Sequence, residues 1–233
     1  MDARVVGARD EGDAWALETH VGLVRARGLV NAAGLQSDRV ARLAGADPGV
    51  RIIPFRGSYL DVGGDSAARV RSLIYPVPDP RFPFLGVHLT RGVDGHVHAG
   101  PNALLAWRRE GYASPRWSWA DAREIVGWPG FRRVAFRYWR TGLAELWRAW
   151  SRAAFARALR RLVPALASAD LRAGTNGIRA QAVARDGTLL DDFHLVEGAR
   201  AVHVVNAPSP AATASLAIGR HVAALAAERI GLA

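Results

Sequence analysis

The chain has 233 residues, half of them hydrophobic, which is enough to bury one large domain or two small ones. It contains no cysteine, which excludes disulfides, thiolate metal sites and cysteine nucleophiles. The formal charge is +10, and all 31 basic residues are arginine. Lysine also serves well as a phosphate-binding charge, so its total loss points to compositional bias and a solvated basic surface, not a selected nucleic-acid face. No run approaches the apolar length of a membrane span, and the start, MDARVVGARDEGD, lacks an apolar signal core. The chain reads as soluble and cytoplasmic.

Residues 3–30 read as short strands and turns, with ARVVGAR and DAWALET joined through the hairpin turn DEGD. GLVNAAG then reads as a strand ending in small residues. SDRVARLAG follows as a helix, with Ser37 as N-cap and Gly45 as C-cap. RIIPFRGSYLDV is a strand region with Pro54 at an edge or bend, and GGDSAA is a loop. SLIYPVPDPRFP is irregular. FLGVHLT and HVHAG form a hairpin closed by Asp94-Gly95, with Leu85, Val87 and Leu89 on its core face and His88 on the other. Residues 116–163 read as helical, with Leu143, Leu146, Trp147, Trp150, Ala154, Ala158 and Leu162 as a buried stripe, ended by Pro164. GIRAQAV, the turn ARDG and AVHVVNA return to strand. Ser209 and Pro210 suit the N-cap and first turn of a terminal helix. In that arrangement the N–H groups of Ala211, Ala212 and Thr213 point outward.

Several groups invite a functional reading beside a structural one. NAAG (31–34) is either a close-approach turn for a dinucleotide or simple strand–helix packing. His96 and His98 have metal-ligand spacing but read as exposed hairpin histidines, with no metal site. His88 is a satisfied structural histidine or a proton acceptor. Arg179, within an apolar strand, is a buried cation that holds either an internal acid or a ligand carboxylate. The helix from 131 to 161 carries nine arginines and one acid, Glu145. It could contact nucleic acid or a membrane, or be a basic outer face; no nucleic-acid partner is expected.

The run IYPVPDPRFPFLGVHLTRGVDGHVHAGPNALLAWRREGY (74–112) closely resembles the L-2-hydroxyglutarate dehydrogenase/oxidase family, within the FAD-dependent, D-amino-acid-oxidase-like group. So do VNAAGLQSDRVARLAG, PFRGSYL, GIRAQAVARDG and NAPSPAATASLAI, in order and at comparable spacing. The resemblance implies an α/β fold with an α+β substrate domain. A partial FAD-binding, Rossmann-like domain (1–50 and 171–233) would join an antiparallel-sheet substrate domain (51–170). It implies hydride transfer from L-2-hydroxyglutarate, or a similar 2-hydroxy acid, to FAD, with oxygen or a membrane quinone as electron acceptor. It places Val5, Ala32, Ala33 and Gly34 beside the adenosine and pyrophosphate, and Pro208, Ser209, Ala211, Ala212 and Thr213 beside the flavin pyrimidine. Arg179 would take the substrate's 1-carboxylate, Arg56 is a candidate for the second carboxylate, Asn102 lies in the cavity wall, and His88 is the candidate base. The chain has no G-x-G-x-x-G, and Ser58 stands where the family usually has an acid. The resemblance is thus to the C-terminal portion of a complete enzyme, N-terminally truncated, with a missing N-terminal polypeptide as a candidate partner. Association peripheral to the inner membrane is a further expectation. The other reading is a non-catalytic remnant or an Arg-rich anion-binding module.

Overall fold

A computed structural model describes residues 2–77, 86–112, 117–208 and 211–231 of the protein. The strands are β1 (Val5–Asp10), β2 (Trp15–Thr19), β3 (Gly22–Ala26), β4 (Leu29–Asn31), β5 (Val50–Val62), β6 (His88–Arg91), β7 (Val97–Gly100), β8 (Leu104–Leu105), β9 (Leu171–Ala184), β10 (His194–Gly198) and β11 (Ala201–Asn206). The helices are α1 (Ser37–Leu43), α2 (Gly64–Ala68), α3 (Trp119–Gly127), α4 (Pro129–Trp150), α5 (Arg152–Leu159) and α6 (Ser215–Ile230). This mixture of helices and mainly antiparallel sheets is the α/β plus α+β class that the sequence suggests.

The chain divides into two compact units. The first comprises Met1–Ile53, Trp128–Phe131 and Ala180–Ala233. Its β1, β2 and β3 form an antiparallel meander, and DEGD makes the first turn with Gly12 at φ +92°. A second sheet, ordered β10-β11-β4, pairs β4 parallel to β11. Trp15, Leu29 and Ala201 are buried together, and Val50, Ile52, Ala182 and Val205 form another apolar cluster. That removal of apolar surface from water is what holds the unit together.

Two local expectations fail here. Ser37 does not cap α1. Gln36 holds the cap position, and the Ser37 hydroxyl, fully buried, donates to the Val205 carbonyl at 2.9 Å. Likewise α6 begins at Ser215, with Ala214 at its N-cap, well beyond the expected start. Ser209 and Pro210 lie outside the described residues. Gly45, just after the α1 cap residue Ala44, does take the left-handed conformation, at φ +77°.

The second unit comprises Pro54–Gly127 and Arg132–Arg179. Its sheet is ordered β6-β7-β5-β8, and β9 also pairs with β5. β5 is therefore an interior strand, so Pro54 does not mark an edge; its carbonyl accepts from Ala106 N–H at 2.9 Å. The expected β6–β7 hairpin forms, with Gly95 at φ +84° in its turn. Leu89, Val97, Ala99 and Val62 are buried with Phe155, Leu159, Leu166 and Leu171, and Val87 packs against them. Leu85 lies outside the described residues.

GGDSAA is helix α2, not a loop. The partner that stabilises it is remote. Asp170 accepts from Ser66 N–H through its carboxylate (3.3 Å) and from Gly63 N–H through its carbonyl (2.8 Å). No local pattern announces such a cap.

The long helical region breaks into α3, α4 and α5, with a non-helical Tyr138 inside α4. Ser151 caps α5, its hydroxyl accepting from Ala154 N–H at 3.2 Å. The helical stripe exists, but its α4 part is not buried, while Leu162 packs against the core. Leu143, Leu146, Trp147 and Trp150 are exposed by 56%, 42%, 65% and 84%. Helical periodicity reports that a face is apolar; it does not report that anything covers it.

Candidate functional site

Pairing register sorts the second unit's sheet into two faces. Directly opposed residues in antiparallel strands share a face. Leu60, Ala99 and Leu89 oppose one another, as do Val62 and Val97, and this is the core face. Asp61, His98 and Thr90 oppose one another on the other face, and His88 opposes Gly100 there. Tyr59, two residues before Asp61, belongs to the same face and lies against Gly100. A Cβ added at Gly100 would sit 3.2 Å from Tyr59 Cα and 3.3 Å from its ring. Gly100 also has φ +139°, so glycine is required for backbone and for space. The result is a polar face carrying His88, Thr90, His98, Tyr59 and Asp61.

His88 is half-buried. Its Nδ1 lies 3.1 Å from the Gly86 carbonyl, which can only accept, so Nδ1 carries the proton and Nε2 keeps its lone pair. Its ring stacks on Tyr75, with centroids 4.2 Å apart and planes at 18°. Burial pushes the His88 pKa below the ordinary histidine value, partly offset by the Gly86 hydrogen bond. A neutral imidazole with a free Nε2 is a competent proton acceptor. Burial, then the neighbouring Tyr75, pushes the Tyr59 pKa up, so its phenol stays a hydrogen-bond donor.

The other substrate-side candidates are placed differently. Asn102 is 4% exposed, and its Oδ1 accepts from Ser58 N–H at 2.8 Å, so it holds the 100–102 segment against β5. Arg56 opposes Leu104, and alternation along β5 puts it with Ser58, Leu60 and Val62, away from the His88 face. Its Nε is buried without a hydrogen-bond partner among the described residues. Arg179 is exposed on β9, not a buried cation, although partial desolvation pushes its pKa down. His98 is paired with Asp61 at 2.9 Å, and His96 is exposed. Among the described residues no cluster of metal-binding side chains occurs.

The cofactor-side candidates lie in the first unit. Ala32, Ala33 and Gly34 follow β4 as an exposed turn, with Gly34 at φ +53° and open space where a Cβ would be. Asn31 builds this turn from below. Its Oδ1 accepts from Ala33 N–H (3.1 Å), so its Nδ2 faces the Ser37 carbonyl (2.8 Å) and His203 Nδ1 (3.2 Å). Asn31 and His203 are 3% and 1% exposed, and burial pushes the His203 pKa down, keeping the ring a neutral acceptor. A bare, small-residue turn on so firm a base fits the close approach of a flat cofactor. Val5 is half-buried at the start of β1. At the other candidate segment, Ala211 N–H is not free: it donates to the Pro208 carbonyl at 3.0 Å. Thr213 has a partner of its own, and Ala212 is exposed.

Sequence reasoning missed Tyr59, Tyr75 and His203, and it singled out NAAG without the role of Asn31 beneath it. The hairpin alternation that singled out His88 would have found its same-face neighbours, given the strand register. Nothing local signals the Asn31–His203 contact.

Residues 1–225 match the family described as FAD dependent oxidoreductase, and the chain belongs to that family. It is 47% identical over 227 residues to L-2-hydroxyglutarate dehydrogenase of Indibacter alkaliphilus, covering 97% of this chain and 57% of that protein. It is 42% identical over 222 residues to the Escherichia coli K12 protein of the same name, covering 95% of this chain and 53% of the other. The chain thus spans just over half the length of these curated relatives. In fold it is similar to dithionite-reduced L-alpha-glycerophosphate oxidase of Mycoplasma pneumoniae with FAD bound. The TM-score is 0.68 at 19% identity, over 96% of this chain and 50% of that one.

Proposed function

We propose that this protein serves the FAD-dependent oxidation of L-2-hydroxyglutarate to 2-oxoglutarate. The observation that carries the reading is the 47% identity to an L-2-hydroxyglutarate dehydrogenase across 97% of the chain. FAD, when bound, supplies the hydride acceptor. Ala32, Ala33 and Gly34 offer the turn against which the cofactor lies, held by Asn31. His88 takes the hydroxyl proton at Nε2 as the C2–H leaves. Tyr59, kept protonated, offers an O–H to a substrate oxygen on the same face. Arg179, an exposed cation on β9, is assigned to the 1-carboxylate, which a guanidinium binds in bidentate fashion. Arg56, on the other β5 face, has less claim to the second carboxylate. The remnant and Arg-rich binding readings have no comparable support.

Purified with added FAD, the protein should retain flavin, lose its oxidised-flavin absorbance anaerobically on L-2-hydroxyglutarate, and form 2-oxoglutarate. Flavin that stays oxidised with this substrate but is reduced by another 2-hydroxy acid would sink the substrate assignment. Absence of retained flavin would sink the claim that this polypeptide alone is a working flavoenzyme.

We also infer peripheral association with an anionic membrane surface, where a quinone would accept the electrons. No helix among the described residues is long and apolar enough to cross a membrane. Instead α4 presents Trp139, Leu143, Trp147 and Trp150 in one exposed stripe beyond its kink at Tyr138, and carries Arg132, Arg133, Arg137, Arg140 and Arg148. Exposed aromatics with flanking cations suit the headgroup boundary. The protein should sediment with phosphatidylglycerol vesicles and not with neutral ones. Equal recovery in the supernatant with both would remove the inference.

A further inference from the structure

We propose that Tyr75 is a positioning residue that holds the His88 imidazole in its proton-accepting state; this rests on the reading of His88 as the base. The geometry begins in the backbone. Ile74 and Leu89 exchange two hydrogen bonds, N–H to O at 2.9 Å in each direction, so the segment before Tyr75 is locked alongside β6. That bridge brings residue 75 beside residue 88, and the rings stack at 4.2 Å and 18°. Offset, near-parallel aromatic rings resist tilting.

Two independent restraints then act on one ring. Stacking on Tyr75 sets its plane. The Nδ1–H donation to Gly86 sets its rotation and its tautomer. Together they leave only Nε2 for a substrate proton. Directly across on β7 stands Gly100, which has no side chain to cover the ring from that side. Tyr75 therefore shields one face of the ring.

The groups around His88 do not compete for this role. On β5 the titratable neighbour is Tyr59, whose raised pKa keeps it neutral. The charged groups on this sheet face are His98 and Asp61, which pair with each other at 2.9 Å, opposite Thr90 and not opposite His88. On β6 itself Arg91 lies on the other face, and its guanidinium donates to the Val70 carbonyl at 3.2 Å. Tyr75 stacks directly on the imidazole ring. Its own exposure, 46%, shows that the stack is not a core contact.

The test is a histidine NMR titration on the full chain, with His88 assigned through His88→Gln. Wild type and Tyr75→Phe should show the same depressed pKa and the same single Nδ1–H tautomer. Tyr75→Leu should move the His88 pKa up toward the ordinary value near ~6.5 and mix the tautomers. Tyr75→Gln gives the same comparison if the leucine variant does not fold. In the FAD-loaded protein Tyr75→Leu should lower kcat about 10-fold to 100-fold with little change in KM, and shift the acid limb of the profile in step with the NMR value. An unchanged His88 titration and tautomer in both non-aromatic variants would overturn the proposal. A shifted titration together with full activity of His88→Gln would leave the positioning intact and dismiss His88 as the base.

Discussion

Replacing His88 with asparagine should cost the FAD-loaded protein about 100-fold to 10,000-fold in turnover on L-2-hydroxyglutarate. Asparagine keeps the polarity and roughly the reach of the side chain, and its amide can still donate to Gly86. It cannot accept a proton. The loss should fall on kcat rather than KM, because the proton is transferred only as C2–H breaks. The pH profile sharpens the test. Burial lowers the His88 pKa, so in wild type the base stays unprotonated below the ordinary histidine range and activity falls only as pH drops through that lowered value. In the asparagine variant that acid limb should vanish. Stopped-flow flavin reduction across pH reads both effects, and a variant with wild-type rates and the same acid limb would move the base elsewhere.

Gly130→Ala should be the most damaging single-methyl change in the first unit. Alanine ordinarily favours a helix over glycine by up to ~1 kcal/mol, so propensity alone predicts a gain. Packing decides otherwise. A Cβ at Gly130 would fall deep inside van der Waals contact with the Ala184 carbonyl oxygen, 3.0 Å from its carbon and 2.8 Å from Trp128 Nε1. None of these can step aside cheaply. Ala184 N–H is held by the Thr188 carbonyl at 2.9 Å, and Trp128 donates to Val183 O at 2.9 Å. The Trp128 ring also lies under Arg51 and Arg185, at 4.8 and 4.9 Å. Overpacking against fixed backbone costs ~3 kcal/mol or more, which outweighs the propensity gain. Thermal denaturation should show a Tm drop of several degrees; an unchanged or raised Tm would mean the α4 start is free to shift.

What was legible in the sequence follows a simple division. The β6–β7 hairpin was legible because its signals are local: alternation on both arms and Asp94-Gly95 between them. Its consequence, Leu89 inward and His88 outward, was legible too. Ser37 was misread because two uses of a serine hydroxyl look alike in sequence, and the acceptor it chose, Val205, lies far along the chain. The cap of α2 failed similarly, since its partner Asp170 is just as remote. Arg179 was misread because flanking apolar residues suggested burial, whereas exposure depends on what else covers β9. The α4 stripe was real in period and wrong in placement. Family membership was legible from motifs. The neighbours of His88 were not, because Tyr75 reaches it through a bridge between residues fifteen apart in sequence.

The two-faced sheet of the second unit carries a rule of inheritance for substitutions. Along β6 and β7 even-numbered residues lie on the His88 face and odd-numbered ones on the core face; along β5 the parity is reversed in this stretch. Lesions in stability and lesions in chemistry should therefore alternate residue by residue. A one-residue insertion within β7 would do more harm than any substitution in it, since a slip of one register exchanges the whole inventory of one face for that of the other. The same insertion in the 92–96 turn would leave both inventories where they are.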